Sequence, residues 1–180
     1  MPWQKSPSDH LLTAPGDGGP TYSLYSSAVG PSGGGPGGTN KAMMSLLNPA
    51  ESGKVLKVRR FSVQAESSSG TNVLVLYELR RISAHSSGTA VTPKKHDLSD
   101  ADSVAEAKKE PTVTEISAPT VMPFIMQANT AQAPGAHFVD LVADGLKPIV
   151  LRPGQGLVMH HVTSNGGTFH TGLVYTEEPE

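Results

Sequence analysis

The sequence predicts an all-β protein, a β-sandwich of the jelly-roll kind with about eight strands, preceded by a flexible arm rich in Gly, Pro and Ser. Three observations point there. From Lys41 onward the chain is a series of short β-prone runs separated by Gly/Pro turn signals. Long amphipathic helices, which a βαβ architecture needs, are lacking. Gly 19 and Pro 15 make up about a fifth of the 180 residues, against roughly 12% in an ordinary chain, and much of that excess falls before residue 40. The resulting division is an extended or disordered arm over 1–42 and a sandwich domain over 43–180.

The arm comes first. Val29 to Gly38 reads VGPSGGGPGG. Glycine raises the entropy lost on ordering and proline blocks both helix and ladder, so such a stretch does not fold alone. It still carries sparse apolar residues: Trp3, Leu11, Leu12, Tyr22, Leu24 and Tyr25. The segment is either a disordered tail or an arm that orders on a neighbouring subunit with these six side chains as anchors.

The strands follow in order. Met43 to Leu47 is an apolar run ended by Asn48-Pro49. In Lys54 to Val63, Leu56 and Val58 share one parity while Phe61 and Val63 share the other. A period-2 pattern that changes phase predicts a β-bulge near Arg59-Arg60. Thr71 to Leu79 has Val73, Val75, Tyr77 and Leu79 on one face and Leu74 and Leu76 on the other, as a central strand covered on both sides would. Residues 81–110 are polar. Ser99 there either caps a short helix over 100–109, stopped by Pro111, or belongs to a plain loop. Strand texture resumes at Thr112 to Ser117, Val121 to Met126, His137 to Val142, Ile149 to Leu151, Leu157 to Thr163 and Thr168 to Thr176.

The last two runs flank Ser164-Asn165-Gly166-Gly167, and Asn-Gly is a preferred hairpin pair. A two- or four-residue loop sets His161 opposite His170 on one face, whereas a three-residue loop would break that pairing. Val158, His160, Val162, Phe169, Thr171, Leu173 and Tyr175 then form the core face. Leu157, Met159, His161, His170, Gly172 and Val174 form the other.

A cross-strand pair of histidines is half of a metal site. A cupin places a similar hairpin on the same architecture, with a signature resembling His-x-His, a nearby carboxylate and a distant third histidine. Here His160 and His161 are adjacent and point to opposite faces, and Leu146 to Thr176 holds no Asp or Glu between its ends. A half-buried or interface pair is the expectation, with no metal and no cofactor. Other chemistry has less to stand on. The chain has no cysteine, His85 and His96-Asp97 stand near many hydroxyls but no Gly-x-Ser-x-Gly elbow marks a nucleophile, and the glycine run lacks the P-loop's Gly-Lys ending. The protein is expected not to be an enzyme. A net charge of −2 is poorly suited to nucleic acid. No run approaches the roughly 18 apolar residues of a membrane span, and no signal peptide is expected after Met1-Pro2-Trp3. Arg59, Arg60, Arg80 and Arg81 are either solvated edge charges or docking charges for an acidic partner. Within each pair the two residues are expected on opposite faces.

Several segments resemble structural proteins of tailed-bacteriophage virions. They are Leu46-Leu47-Asn48-Pro49-Ala50 with Gly53-Lys54-Val55, Tyr77-Glu78-Leu79-Arg80-Arg81-Ile82 with His85-Ser86-Ser87-Gly88-Thr89, and Thr92-Pro93-Lys94-Lys95-His96-Asp97. Arg152-Pro153-Gly154-Gln155-Gly156-Leu157 is similar to a corner of virion jelly rolls. The resemblance covers roughly 43–180. It implies a capsid decoration or cement protein, a homotrimer, bound to the major capsid protein or other virion subunits and located in the virion. An adhesion, head-fibre or tail module that binds a surface glycan, and a cupin-like metal-binding protein, stand as alternatives. The glycan reading predicts an exposed aromatic platform, and the sequence leans against it, since the single Trp3 lies in the arm and only Tyr22, Tyr25, Tyr77 and Tyr175 are available.

Overall fold

A computed structural model of the protein describes residues 19–29, 41–65, 73–128, 136–162 and 168–180. The strands are β1 (Thr21–Val29), β2 (Lys41–Leu47), β3 (Lys54–Ala65), β4 (Val73–Ser86), β5 (Thr89–Ala90), β6 (Lys94–Lys95), β7 (Glu106–Lys109), β8 (Thr112–Ala128), β9 (Ala136–Asp140), β10 (Ile149–Leu151), β11 (Gly156–His161) and β12 (Thr168–Pro179). Two antiparallel sheets pack face to face. The first has the order β10-β3-β12-β1-β6, with β9 also on β3, and the second β5-β7-β2-β11-β4-β8.

The long strands pair in nested fashion. β1 pairs with β12, β2 with β11, β3 with β9 and β10, and β4 with β8. This is one long hairpin rolled so that its successive strands alternate between sheets, which is a jelly roll. The expected fold class holds. Among the described residues there is no helix, and the segment offered as one over 100–109 instead ends in β7, whose Ala107 is buried against the core. Its few apolar residues gain more by joining the edge of β2 than by lying on the surface.

Sequence and structure agree closely at β3. Val174 pairs with Arg60 and Tyr175 with Val58, which leaves Arg59 as the extra residue of a bulge. Leu56 and Val58 before it and Phe61 and Val63 after it are all buried in one core. The bulge also divides the strand's outer partner, since β10 pairs with residues 56–58 and β9 with 60–64. The two runs expected over 112–117 and 121–126 are a single strand, β8, at the sheet edge. That position suits its Pro119 and Pro123, which have no N–H to give to a ladder.

Two expectations are corrected. The arm does not extend to residue 42. Residues 21–29 form a nine-residue ladder with β12, and Tyr22 and Leu24 lie in the core, because a segment with apolar residues at alternate positions can bury one face once β12 supplies the partner edge. Trp3, Leu11 and Leu12 fall outside the described residues. The final hairpin is not formed either. β11 belongs to the second sheet and β12 to the first, so the two strands do not pair; Ser164 to Gly167 fall outside the described residues. Leu157 and Met159 on β11 face the same core as Phe169, Leu173 and Tyr175 on β12. The core face expected for β12 is right, and that for β11 is reversed.

The space between the sheets is filled by rings and methionines. Tyr22 stacks on Tyr175 at 5.5 Å, Tyr77 meets Phe169 edge-on at 5.9 Å, and Met43 and Met44 are fully buried. Polar staples tie the sheets together at one end. The buried Asn48 amide donates to Lys54 O (2.7 Å) and Leu151 O (3.0 Å). Buried Glu177 accepts from the Ser103 hydroxyl and from Val104 N at 3.1 Å. Deleting Arg59 should turn Phe61 and Val63, or Leu56 and Val58, to solvent. At about 2 kcal/mol for each side chain this removes roughly 4 kcal/mol, and the variant should lose cooperative urea unfolding monitored by circular dichroism. Arg59→Ala, which keeps the bulge, should unfold cooperatively.

Candidate functional site

The two sheets differ on their outer faces. On the second sheet the outer face is closed by ion pairs. Arg80 donates from Nε to Glu78 (2.7 Å) and from Nη1 to Glu115 (2.9 Å), and Thr120 Oγ1 donates to Glu78 at 3.2 Å. His160 Nε2 stands 3.3 Å from Glu115. Burial, and secondarily the Arg80 charge, holds the His160 pKa below its ordinary value. Ala42, Ile82 and Val158 pack beside this cluster. Arg81 takes the opposite direction, and its Nη1 donates 2.8 Å to Val150 O of the first sheet. Arg80 and Arg81 do point to opposite faces; Glu78 and Glu115 pair with the charge of Arg80, while Arg81 donates to a backbone carbonyl.

The same face assembles a Ser-His-Glu sequence that no motif announced. Ser45 Oγ lies 2.7 Å from His85 Nδ1, and His85 Nε2 lies 3.3 Å from Glu106. Burial lowers the His85 pKa against the opposing pull of Glu106. The arrangement has the order of a nucleophilic relay, but Ser45 is 0% exposed, so a carbonyl carbon has no path to its hydroxyl. It serves to hold β2, β4 and β7 together.

The histidines expected as a pair are separated. His161 points into the core, stacked on Tyr77 at 4.8 Å and edge-on to Phe169 at 4.9 Å. His170 lies on the outer face of the first sheet, stacked on Tyr25 at 5.4 Å. Opposed pairing needs one sheet, and these two residues are in different sheets. Among the described residues no group of three or more histidines and carboxylates could hold a metal ion.

The outer face of the first sheet is open. A groove of about 490 Å³ is lined by Arg59, Arg60, His96, Asp140, Val142 and Val174. Arg59 and Arg60 were expected on opposite faces, but the bulge turns both into this groove. Arg60 Nε donates to Asp140 at 3.1 Å, and the guanidinium holds that carboxyl below its usual range. One row farther along the strands, the ladder aligns Phe138, Ser62, Gly172 and Tyr25 across β9, β3, β12 and β1. Phe138 is 68% and Tyr25 65% exposed. The two rings stand at either end of a floor made of the two small residues. A Cβ on Gly172 would come within 2.6 Å of Ser62 Oγ, so the Ser62 hydroxyl leans over the glycine. Gln64 and His170 lie in the next row. Tyr25, offered as an arm anchor, is therefore part of a platform on the body. Phe138, Gly172 and Ser62 were not expected at a site.

The chain matches no family model, and no curated protein or solved structure matches it.

Burial, and secondarily the Lys41 charge, lowers the His161 pKa from 6.5 to about 4. Between these values the unfolded chain binds a proton that the folded chain does not. The contribution of His161 is complete above pH 6.5 and is lost progressively as pH falls toward 4, by up to about 3 kcal/mol. Urea unfolding at pH 7 and pH 4.5 should show this loss. His161→Phe, which keeps a ring against Tyr77 and Phe169, should flatten it, leaving the smaller slopes of His85 and His160.

Proposed function

We propose that the chain is a non-enzymatic structural protein of a bacteriophage virion, a capsid decoration or cement protein that docks on neighbouring capsid subunits. The observation that carries this reading is the contrast between the composition of residues 1–18 and the stapled sandwich that follows from Gly19-Pro20. Behind that point stands a stapled sandwich. Pro20 O accepts from Glu177 N at 3.0 Å, and a Cβ on Gly19 would overlap Glu177 O at 1.9 Å, so the first described residues are held tightly against β12. Ahead of it lie 18 residues with five Gly and Pro among residues 15–18 and elsewhere, and with Trp3, Leu11 and Leu12 as sparse apolar anchors. An anchored segment that orders on a partner loses conformational entropy but covers much surface with few residues.

The fold supports the same reading at the level of analogy, since jelly rolls serve in viral capsids, lectins and cupins. A cupin-like role needs ligands converging on the interior, and Tyr22, Tyr77, Tyr175, Phe61 and Phe169 occupy that space. The partners proposed are the major capsid protein or other virion subunits, with the chain itself a homotrimer. Neither nucleic acid nor membrane is a proposed partner.

Limited proteolysis of the free protein and of the assembled particle, read by mass spectrometry, should cut within residues 1–18 rapidly in the first and slowly in the second. A variant lacking 1–18 should lose co-sedimentation with particles stripped of the protein, at unchanged melting temperature. Equal cutting in both states, or full co-sedimentation of the truncated chain, rejects docking through this segment.

A further inference from the structure

We infer that the outer face of the first sheet binds a neutral polysaccharide laid across its strands. This goes beyond capsid docking and does not depend on it. The site is a trough with Phe138 and Tyr25 at its ends and the row between them, Ser62 and Gly172, as its floor.

The glycine is what the fold alone does not call for. Gly172 lies in the interior of β12, between β1 and β3, where glycine weakens a strand. It does not have a positive φ, and the bulge of this ladder lies at Val174/Tyr175. A Cβ at this position would meet only the Ser62 hydroxyl at close range, 2.6 Å away, and a hydroxyl can rotate aside. Glycine within a strand often marks the close approach of a ligand. Here it lets the Ser62 hydroxyl lie over the strand. Gly172 is itself buried, so the floor that a ligand meets is that hydroxyl, set low between two projecting rings.

The rings stand three strand spacings apart, about 14 Å, a span that a short oligosaccharide covers. Phe138 is 68% and Tyr25 65% exposed, and a near-parallel stack on His170, at 11°, steadies Tyr25. A pyranose has an apolar C–H face for such rings and a rim of hydroxyls for Ser62 and, in the adjoining rows, Ser23, Ser27 and Gln64.

Charge sets the class of sugar. Arg60 is paired with Asp140, and Arg59 is engaged within the fold, with Nε and Nη2 out of contact with solvent. An acidic ligand would compete with Asp140 for Arg60, and a basic one with Arg60 for Asp140. A neutral sugar competes with neither. Protein ligands fit less well. Peptides are captured at sheet edges, where free backbone groups extend the ladder, and the middle of a face offers side chains only. A second copy's sheet laid on this one would bury the serine hydroxyls and Gln64 against side chains, at a cost unless each found a partner.

The test is isothermal titration of the full chain with three neutral hexamers: cellohexaose, β-1,4-mannohexaose and maltohexaose. Hexagalacturonate and a hexapeptide of alternating Gly and Ser serve as comparators. At least one neutral hexamer should bind in the millimolar range or tighter, more strongly than either comparator, and equally at low and high salt. Tyr25→Ala and Phe138→Ala, both at exposed positions, should each weaken binding about fivefold, the loss of one stacked ring, at unchanged melting temperature. Gly172→Ala should weaken binding without lowering the melting temperature. The inference is overturned if no neutral hexamer binds, if hexagalacturonate or the peptide binds more tightly, or if binding ignores both ring substitutions. It is equally overturned if Gly172→Ala lowers the melting temperature and leaves binding intact, which assigns the glycine to the fold. Sedimentation velocity supplies the last check: self-association of the free chain that either ring substitution abolishes gives the face to a second copy instead.

Discussion

The extra residue in β3 is the constraint on which the first sheet depends. A strand that long, run without interruption, would bury either Leu56 and Val58 or Phe61 and Val63, because side chains alternate strictly. Arg59 resets the phase, and all four are buried in one core. The reset also ends one outer partner and begins another. β10 covers the strand before the bulge and β9 covers it after, while Leu141 N donates to Arg59 O at 2.9 Å where the two meet. Bulges raise local twist and redirect side chains, and here the redirection gives the groove both of its arginines. One inserted residue thus joins core packing, sheet topology and the charge of the open face.

The rolled hairpin accounts for most of what remains. Nested pairing makes most neighbours in a sheet distant in sequence; β4 with β8, at the closed end of the roll, and β5 with β7 are the nearer pairs among the described residues. Such a fold closes many long loops before its core forms. It compensates with large rings, which bury much area for each residue ordered, and with polar staples at the end of the sandwich. Asn48 joins the end of β2 to the start of β3 and the end of β10, and Glu177 joins β12 to the chain leading into β7. Both are buried, so their hydrogen bonds act in a poorly solvated setting where an unmatched group would be expensive.

What the sequence revealed was local. Alternation located the strands, the phase change located the bulge, and the lack of helical periodicity fixed the class. What it hid depended on which sheet a strand joins. Asn165-Gly166 carries the residues of a tight hairpin, yet β11 and β12 on either side of it belong to different sheets, because turn residues in a sequence do not specify which sheet the next strand joins. The His161–His170 pairing failed for that reason. Tyr22 and Leu24 looked like stray apolar residues in a glycine-rich arm because the partner that buries them, β12, is about 150 residues away. The trough shows the limit most clearly. Residues 25, 62, 138 and 172 share no motif, and only the register of four strands brings them into line.

The two outer faces finally bear on where interaction with other molecules can take place. The second sheet's face is occupied by its own ion pairs and by Ala42, Ile82 and Val158. A ligand there would have to displace Glu78 and Glu115 from Arg80, leaving half-buried charges unmatched. The first sheet's face has the opposite character. Tyr25 and Phe138 gain little in folding from being aromatic, since most of their surface stays in water, and exposed rings on a flat face raise the hazard of self-association. Hydroxyl-bearing or charged residues would serve the fold equally well at both positions.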